Sequence, residues 1–241
     1  STIGTNLSNF NYLWDYLLVD YSINTIKLVF LTIFFSLIFG VLPAWFVSTT
    51  DFKLKKIYDL LLYLPLAIPT YIMAFTYSDI VSYTGPLQSF FRNYAPKFAE
   101  IINVDYLQIE FLSILLSLSL YPYVYTTCRI AFSRIGTSYI NLSKTLGLSE
   151  FSTFFKIAIP ISRAAIFSGL FLIVMEVLNE YGAVNYFGVN TYTSGIFRAW
   201  GPMVDIQTAS LLAVFLFIVV ALFFILERYV NSKYKFNYAI N

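Results

Sequence analysis

Four long stretches of the chain carry no Asp, Glu, Lys or Arg: those between Lys27 and Asp51, Asp59 and Asp79, Glu110 and Arg129, and Asp205 and Glu227. Leu, Ile, Phe, Val and Tyr fill most of these windows. A hydrocarbon core about 30 Å thick is crossed by ~20 apolar helical residues, so each window predicts one membrane-spanning helix. A fifth window, Ile157 to Leu178, holds Arg163 and Glu176 near its ends and an uncharged centre from Ala164 to Met175. Charges at helix ends reach the interface by snorkelling, and this window is counted as well. Backbone groups left unpaired in lipid are costly, which favours helices, and the ~10-residue alternating segments of a β-barrel are not visible. The predicted class is all-α, a polytopic bundle over 23–231 with spans at 26–50, 58–79, 108–130, 157–178 and 205–227.

Composition agrees: 59% of residues are hydrophobic and 12% charged, against roughly half and a quarter in soluble domains. The net charge of +2 says little, but its distribution says more. If the spans alternate, 11 of the 15 basic residues fall on one side, among them Lys53, Lys55, Lys56, Arg129, Arg134, Lys144, Lys156 and Arg163. Nine of the 13 acids fall on the other. Basic loops stay in the cytoplasm, which orients the chain in a cell membrane. Residues 1–22 are then extracytoplasmic, and 232–241 form a cytoplasmic tail or a linker to a second half. Within the first segment, Phe10 to Tyr21 has helical apolar spacing and reads as an interfacial helix or a cap over the bundle. Cys128 is the single cysteine and histidine is absent, which excludes internal disulfides and imidazole chemistry. The chain opens with Ser1 without a basic leader, as expected of a segment of something longer.

One polar interruption stands out, in the basic loop 132–156 and the start of the next span: SKTLGLSEFSTFFKIAIP, Ser143 to Pro160. Leu142, Leu146, Phe151, Phe154 and Phe155 form an apolar stripe broken by Gly147. Glycine can adopt positive φ and end a first short helix, Ser149 can cap a second, and Pro160 suits the opening of the next span. Two short helices with aromatics on one face are expected. They either lie on lipid headgroups or form a socket for another protein.

Gly147, Ile157, Ile159 and Pro160 stand as a glycine, nine residues, then Ile-x-Ile-Pro, which resembles the coupling loop of permease subunits in binding-protein-dependent ABC importers. The acidic residue usual in that loop is replaced by Asn141 here, so no salt bridge is expected at that position. Pro65 to Gln88 and Met175 to Trp200 resemble stretches of ferric-iron permeases, and the similarity covers most of Asn24 to Arg228. The chain is similar to the first half of such two-half permeases. The resemblance implies a MetI-like permease in the bacterial inner membrane, with no enzyme activity or cofactor of its own. It implies as partners a cytoplasmic ATPase dimer that uses ATP and Mg, a periplasmic binding protein, a second permease half and the lipid bilayer, and no nucleic acid. It further implies that Asn141, Lys144, Leu146, Gly147, Phe151, Phe154, Ile157 and Pro160 carry the contact with the ATPase. Other cargoes, such as sulfate, thiamine or a polyamine, share this loop.

The chain has no Gly-x-x-x-x-Gly-Lys-(Ser/Thr) phosphate loop, which leaves the energy to a partner. An ion-gradient transporter would explain the spans but not the loop; a structural membrane protein would show no dependence on an ATPase. Glu176 and Glu180, four apart, are expected on one helix face, either toward a cavity that attracts a cation or at headgroup level. Tyr181 to Met203, with Tyr186 and Arg198, is expected at the outer mouth of a path or in an aromatic belt, with Arg198 available to Glu180 or to a binding protein. Pro65, Pro69 and Pro122 are expected to kink their spans.

Overall fold

A computed structural model describes residues 18–145 and 147–232. The described residues are helical, with no strand among them, and four helices are long and apolar enough to cross a membrane, with a fifth crossing if a bent pair is counted. The first span, α1, runs Val19–Thr49. The window expected at 58–79 is not one rod. It consists of α2 (Lys55–Leu61), a 3-10 turn over Leu64–Ala67, and α3 (Thr70–Val81), and the chain bends by 95° at the break. The prolines cause this. Ile68, ahead of Pro69, is held in extended conformation (φ −106°, ψ 121°), because the proline ring disfavours a helical residue before it.

Two short helices, α4 (Pro86–Tyr94) and α5 (Pro96–Ile101), then lead into α6, which runs unbroken from Ile109 to Thr145. Pro122 lies inside α6 without ending it. After a turn at Gly147 come α7 (Glu150–Thr153), a π turn (Phe154–Ala158) and α8 (Ile159–Asn179). Short helices α9 (Gly182–Tyr186) and α10 (Tyr192–Trp200) precede the last span, α11 (Ile206–Ser232). Of the segment expected at Phe10 to Tyr21, residues up to 17 lie outside the described residues; Tyr21 is the first buried side chain of α1.

The centre of the bundle is α6, the most enclosed span, while α11 is the least. On one side α1 presents Thr32, Ser36, Gly40 and Ala44, four apart and all buried. On the other, α8 presents Gly169. A β-carbon on Gly40 would come within 3.0 Å of the Val124 side chain, and one on Gly169 within 2.8 Å of the Val124 backbone. Small residues let helices approach closely where lipid supplies no hydrophobic drive, and van der Waals packing then holds them. The opposite face of α1 exposes Ile23, Ile26, Phe30, Phe34, Ile38 and Leu42, a lipid-facing stripe.

The two ends differ in charge, as the alternation of spans requires. At one, Lys27 pairs with Glu110 at 2.6 Å, tying the start of α1 to the start of α6. At the other lie Lys53, Lys55, Lys56, Arg129 and Arg134, and there Arg129 pairs with Asp59 at 3.5 Å.

Candidate functional site

The loop expected to hold two short helices is instead a tight elbow between two spans. The first arm is the last turn of α6, because its helical ladder continues unbroken to Thr145. Gly147 adopts φ +73°, and the Leu148 N–H donates to the Ser143 carbonyl at 3.0 Å. That six-to-one bond with a left-handed glycine is a Schellman ending. No heavy atom lies within 4 Å of a β-carbon built on Gly147, so backbone conformation rather than space selects the glycine.

The second arm starts at once. The Ser149 side chain accepts from the Ser152 N–H at 3.2 Å, the cap expected from the sequence. The buried Thr153 hydroxyl donates to Ser143 Oγ at 2.9 Å and so pins one arm to the other. Pro160 stands in the first turn of α8, as expected, but a π turn already precedes it. Lacking an N–H and crowding the carbonyl four residues back, it displaces the ladder. The Ile159 N–H accordingly reaches the Phe154 carbonyl, five residues back, closing the π turn in which Ile157 sits half-buried.

The aromatics divide between two faces. Phe151 is 74% exposed and Phe155 50%, with their rings 4.6 Å apart. Phe154, expected beside Phe151, is 5% exposed and packs against Trp45 of α1 and Phe132 of α6. Adjacent residues on a helix point about 100° apart, so Phe154 and Phe155 cannot share a face. The exposed pair is therefore Phe151 and Phe155. Asn141 and Lys144 lie in the last turns of α6, and Leu146 lies outside the described residues.

Sequence reasoning missed a second feature near the basic end. The buried Tyr125 hydroxyl of α6 donates to Asp59 of α2, which also pairs with Arg129. Tyr63 packs edge-on against Tyr125 at 5.2 Å. This cluster fastens the basic-end half of the broken span to the central helix. Asp59 and Arg129 were visible in the sequence only as the borders of uncharged windows.

Glu176 and Glu180 do not act from one face. Glu176 is exposed on α8 and accepts from the Tyr123 hydroxyl at 3.2 Å. Glu180 follows the end of α8 with extended backbone (ψ 111°). It accepts from the Thr70 hydroxyl and, at 2.9 Å, from the Ala183 N–H, joining α8, α3 and α9. The height of Glu176 along the bundle follows from the helix contacts. Gly169 meets α6 at Val124, and Glu176 lies seven residues further, about 10 Å. Glu110 lies fourteen residues from Val124, about 21 Å, so Glu176 sits about 10 Å inside the level of the Lys27–Glu110 pair.

At the acidic end, Tyr186 packs against Phe75 at 5.2 Å, and Tyr181 stacks on Phe197 at 4.2 Å. Arg198 donates to Asn190 at 3.2 Å, and Asn190 to Asp20 at 3.3 Å, so of the two partners open to Arg198 in the sequence, Glu180 is not the one it meets here. A Thr191–Ser194 capping box starts α10. Asp205 caps α11, accepting from the Thr208 N–H at 3.1 Å and hydroxyl at 2.6 Å, and these bonds hold its carboxyl below the usual range. Among the described residues no group of His, Cys, Asp or Glu is arranged to hold a metal.

Residues 36–236 match the family model described as "Binding-protein-dependent transport system inner membrane component". The sulfate transport system permease protein CysT of Escherichia coli is 26% identical over 166 residues, covering 69% of this chain and 57% of that protein. The Fe(3+)-transport system permease protein FbpB 2 of Haemophilus influenzae is 25% identical over 210 residues, covering 87% of this chain and 37% of that protein. The chain thus spans between about a third and three fifths of the length of these relatives. A crystal structure of a bacterial ABC transporter involved in import of the acidic polysaccharide alginate superposes with a TM-score of 0.75 at 15% identity, covering 95% of this chain and 84% of that one. The unbroken central span, the elbow at Gly147 and the match over 36–236 lead to one conclusion: the chain belongs to the family of inner-membrane components of binding-protein-dependent transport systems.

Proposed function

We propose that this chain is the membrane-spanning half of an importer driven by a separate cytoplasmic ATPase, and that the elbow at Gly147 receives the force. The observation that carries the reading is the exposed Phe151–Phe155 pair on a rigid turn continuous with two spans. Buried aromatic anchors dominate protein interfaces, and an ATPase groove accepting this pair would bury it. Displacement of the elbow would then move α6 and α8 together. ATP bound by the ATPase subunit, and never by this chain, would favour one arrangement of the spans over another. A periplasmic binding protein would deliver cargo at the acidic end, near Tyr186, Arg198 and Trp200, and a second permease half would complete the path.

For the cargo we propose ferric iron. An exposed carboxylate at membrane depth needs a wet or protein-lined neighbour, and Glu176 offers a cation a negative partner there. The iron permease of Haemophilus influenzae is similar over more of this chain than the sulfate permease is. Sulfate is the second reading, favoured by the likeness to the sulfate permease. The test is reconstitution in proteoliposomes with the candidate ATPase and binding protein. Radioactive iron is expected to accumulate only with ATP hydrolysis, and Glu176→Gln to slow it at least tenfold. Accumulation of radioactive sulfate instead overturns the iron reading; accumulation of neither overturns both cargo readings, and an ATPase that neither binds this chain nor changes its hydrolysis rate in the reconstituted mixture overturns the importer reading.

A further inference from the structure

The short helix α4 is turned inside out. Successive helical residues rotate by about 100°, so Leu87, Phe90, Phe91 and Tyr94 fall within one arc of roughly 100°, and Gln88, Ser89, Arg92 and Asn93 share the other side. A helix facing water buries the first set and exposes the second. Here Phe90 is 55% exposed and Tyr94 77%, while Gln88 is 1% exposed, and of the polar set only Asn93 is exposed. The Phe90 ring lies 4.8 Å from Tyr94 and 5.6 Å from Phe91, so the outward arc is one aromatic surface.

Its orientation is fixed from within. Arg92 donates to the Tyr83 carbonyl at 2.6 Å and to the Ser89 hydroxyl at 3.2 Å, with its guanidinium 4.2 Å from the centre of the Tyr83 ring. The Gln88 amide donates to the Ile102 carbonyl at 2.6 Å, and Phe91 packs on Phe98 of α5 at 4.7 Å. Rolling the aromatic arc inward would break these bonds and strand a buried amide, which is costly.

The same bonds set its height. The Ile102 carbonyl also accepts from the Tyr106 hydroxyl at 2.6 Å, and the Tyr106 ring packs edge-on against Phe111 at 5.4 Å. Phe111 stands in the first turn of α6, next to Glu110 of the Lys27–Glu110 pair. Gln88, Ile102, Tyr106 and Phe111 thus tie α4 to the acidic end of the central span. Aromatic side chains are favoured at that depth, and nine helical residues are too few to cross. The Tyr94 hydroxyl is the one hydrogen-bonding side-chain group on the arc. Reversible protein interfaces carry about one hydrogen bond per 100–200 Å², so the arc matches lipid better than a soluble partner.

We propose that α4 is an interfacial foot, with its Leu87, Phe90 and Tyr94 face seated in the headgroup–acyl boundary of the leaflet at the acidic end and lipid as its partner. Joined to α3 by a turn in which a β-carbon on Gly85 would lie 2.2 Å from the Asp79 carbonyl, the foot holds the end of α3 at the membrane surface. The inference rests on family membership and on neither the cargo nor the ATPase contact. The test attaches spin labels to cysteines introduced by Phe90→Cys, Tyr94→Cys and Asn93→Cys in a Cys128→Ala background. The full-length permease is purified in its assembled complex and placed in phosphatidylcholine nanodiscs. EPR power saturation reads collisions with oxygen, which partitions into lipid, and with a water-soluble nickel chelate. At positions 90 and 94 oxygen collisions are expected to exceed chelate collisions severalfold, at 93 the order should reverse, and adding the binding protein should change neither. A chelate excess at 90 and 94 shows a water-facing arc, and weak collisions with both reagents show a face covered by a second permease half. Loss of oxygen collisions on adding the binding protein shows a docking site for that protein. Each of these three results overturns the proposal.

Discussion

Replacing Phe151 and Phe154 by alanine, one at a time, separates contact from packing at the elbow. Phe154 is 5% exposed, its ring 5.4 Å from Trp45 and 6.4 Å from Phe132. Truncation of a buried Phe typically costs 3–5 kcal/mol through lost contacts and the cavity left behind. At about 2–4 °C per kcal/mol for a chain of this size, the thermal midpoint of Phe154→Ala should fall by roughly 6 °C or more. Phe151 is 74% exposed, and surface truncation is expected to stay within about 0.5 kcal/mol. If Phe151 anchors an ATPase, however, its loss from the interface should cost at least ~2 kcal/mol, about thirtyfold in affinity. The assay follows tryptophan fluorescence on heating in detergent, together with the amount of ATPase retained on purification and the rate of ATP-driven uptake. Phe151→Ala should keep its midpoint and lose the ATPase. If instead Phe151→Ala unfolds early while Phe154→Ala does not, the division of the two aromatic faces is wrong.

Further outcomes follow from the same geometry. Gly169→Val forces a β-carbon to within 2.8 Å of the α6 backbone, and overpacking should cost ~1–3 kcal/mol in thermal or denaturant unfolding. Gly147→Ala meets no atom but must adopt φ +73°, so a loss of ~1–2 kcal/mol is expected from backbone strain alone. Asp59→Asn should destabilise by about 1–2 kcal/mol by leaving Arg129 without its acid, and exchanging the two residues should recover part of the loss in the same assay. Asp205→Ala removes the cap of α11 and should cost about 1 kcal/mol at neutral pH. Because the Asp205 carboxyl is held below its usual range, its charge-dependent stabilisation is complete above the unfolded value of about 4 and fades as pH falls through the folded value. The gap between this variant and wild type should therefore narrow in acid.

Uncharged windows made the spans legible because lipid imposes a length and forbids charge, a constraint local to each segment. The breaking of 58–79 was legible only in part: Pro65 and Pro69 signalled an interruption, but the 95° bend depends on what α3 packs against. At the elbow, Gly147 and Ser149 were readable because capping is local chemistry. The continuity of both arms was not, since Thr153 reaching Ser143 depends on how the spans dock. Phe154 was misassigned because a stripe drawn on linear spacing ignores which neighbours come to meet it. Asp59, Tyr125 and Arg129 are scattered in sequence and meet only once the Asp59 side chain of α2 reaches α6. Gly40 and Gly169 gave no sequence signal as a pair, because their shared property is the backbone of a third helix.

The most direct measurement places a photo-crosslinking amino acid at Phe151, Phe155, Phe154 or Tyr94 and irradiates intact inner membranes. Tyr94 is 77% exposed but lies toward the opposite end. Positions 151 and 155 should capture a polypeptide that an azido-ATP probe labels, and 154 and 94 should not. If 151 and 155 capture no nucleotide-binding subunit while uptake remains ATP-driven, force does not enter this bundle through the Gly147 elbow.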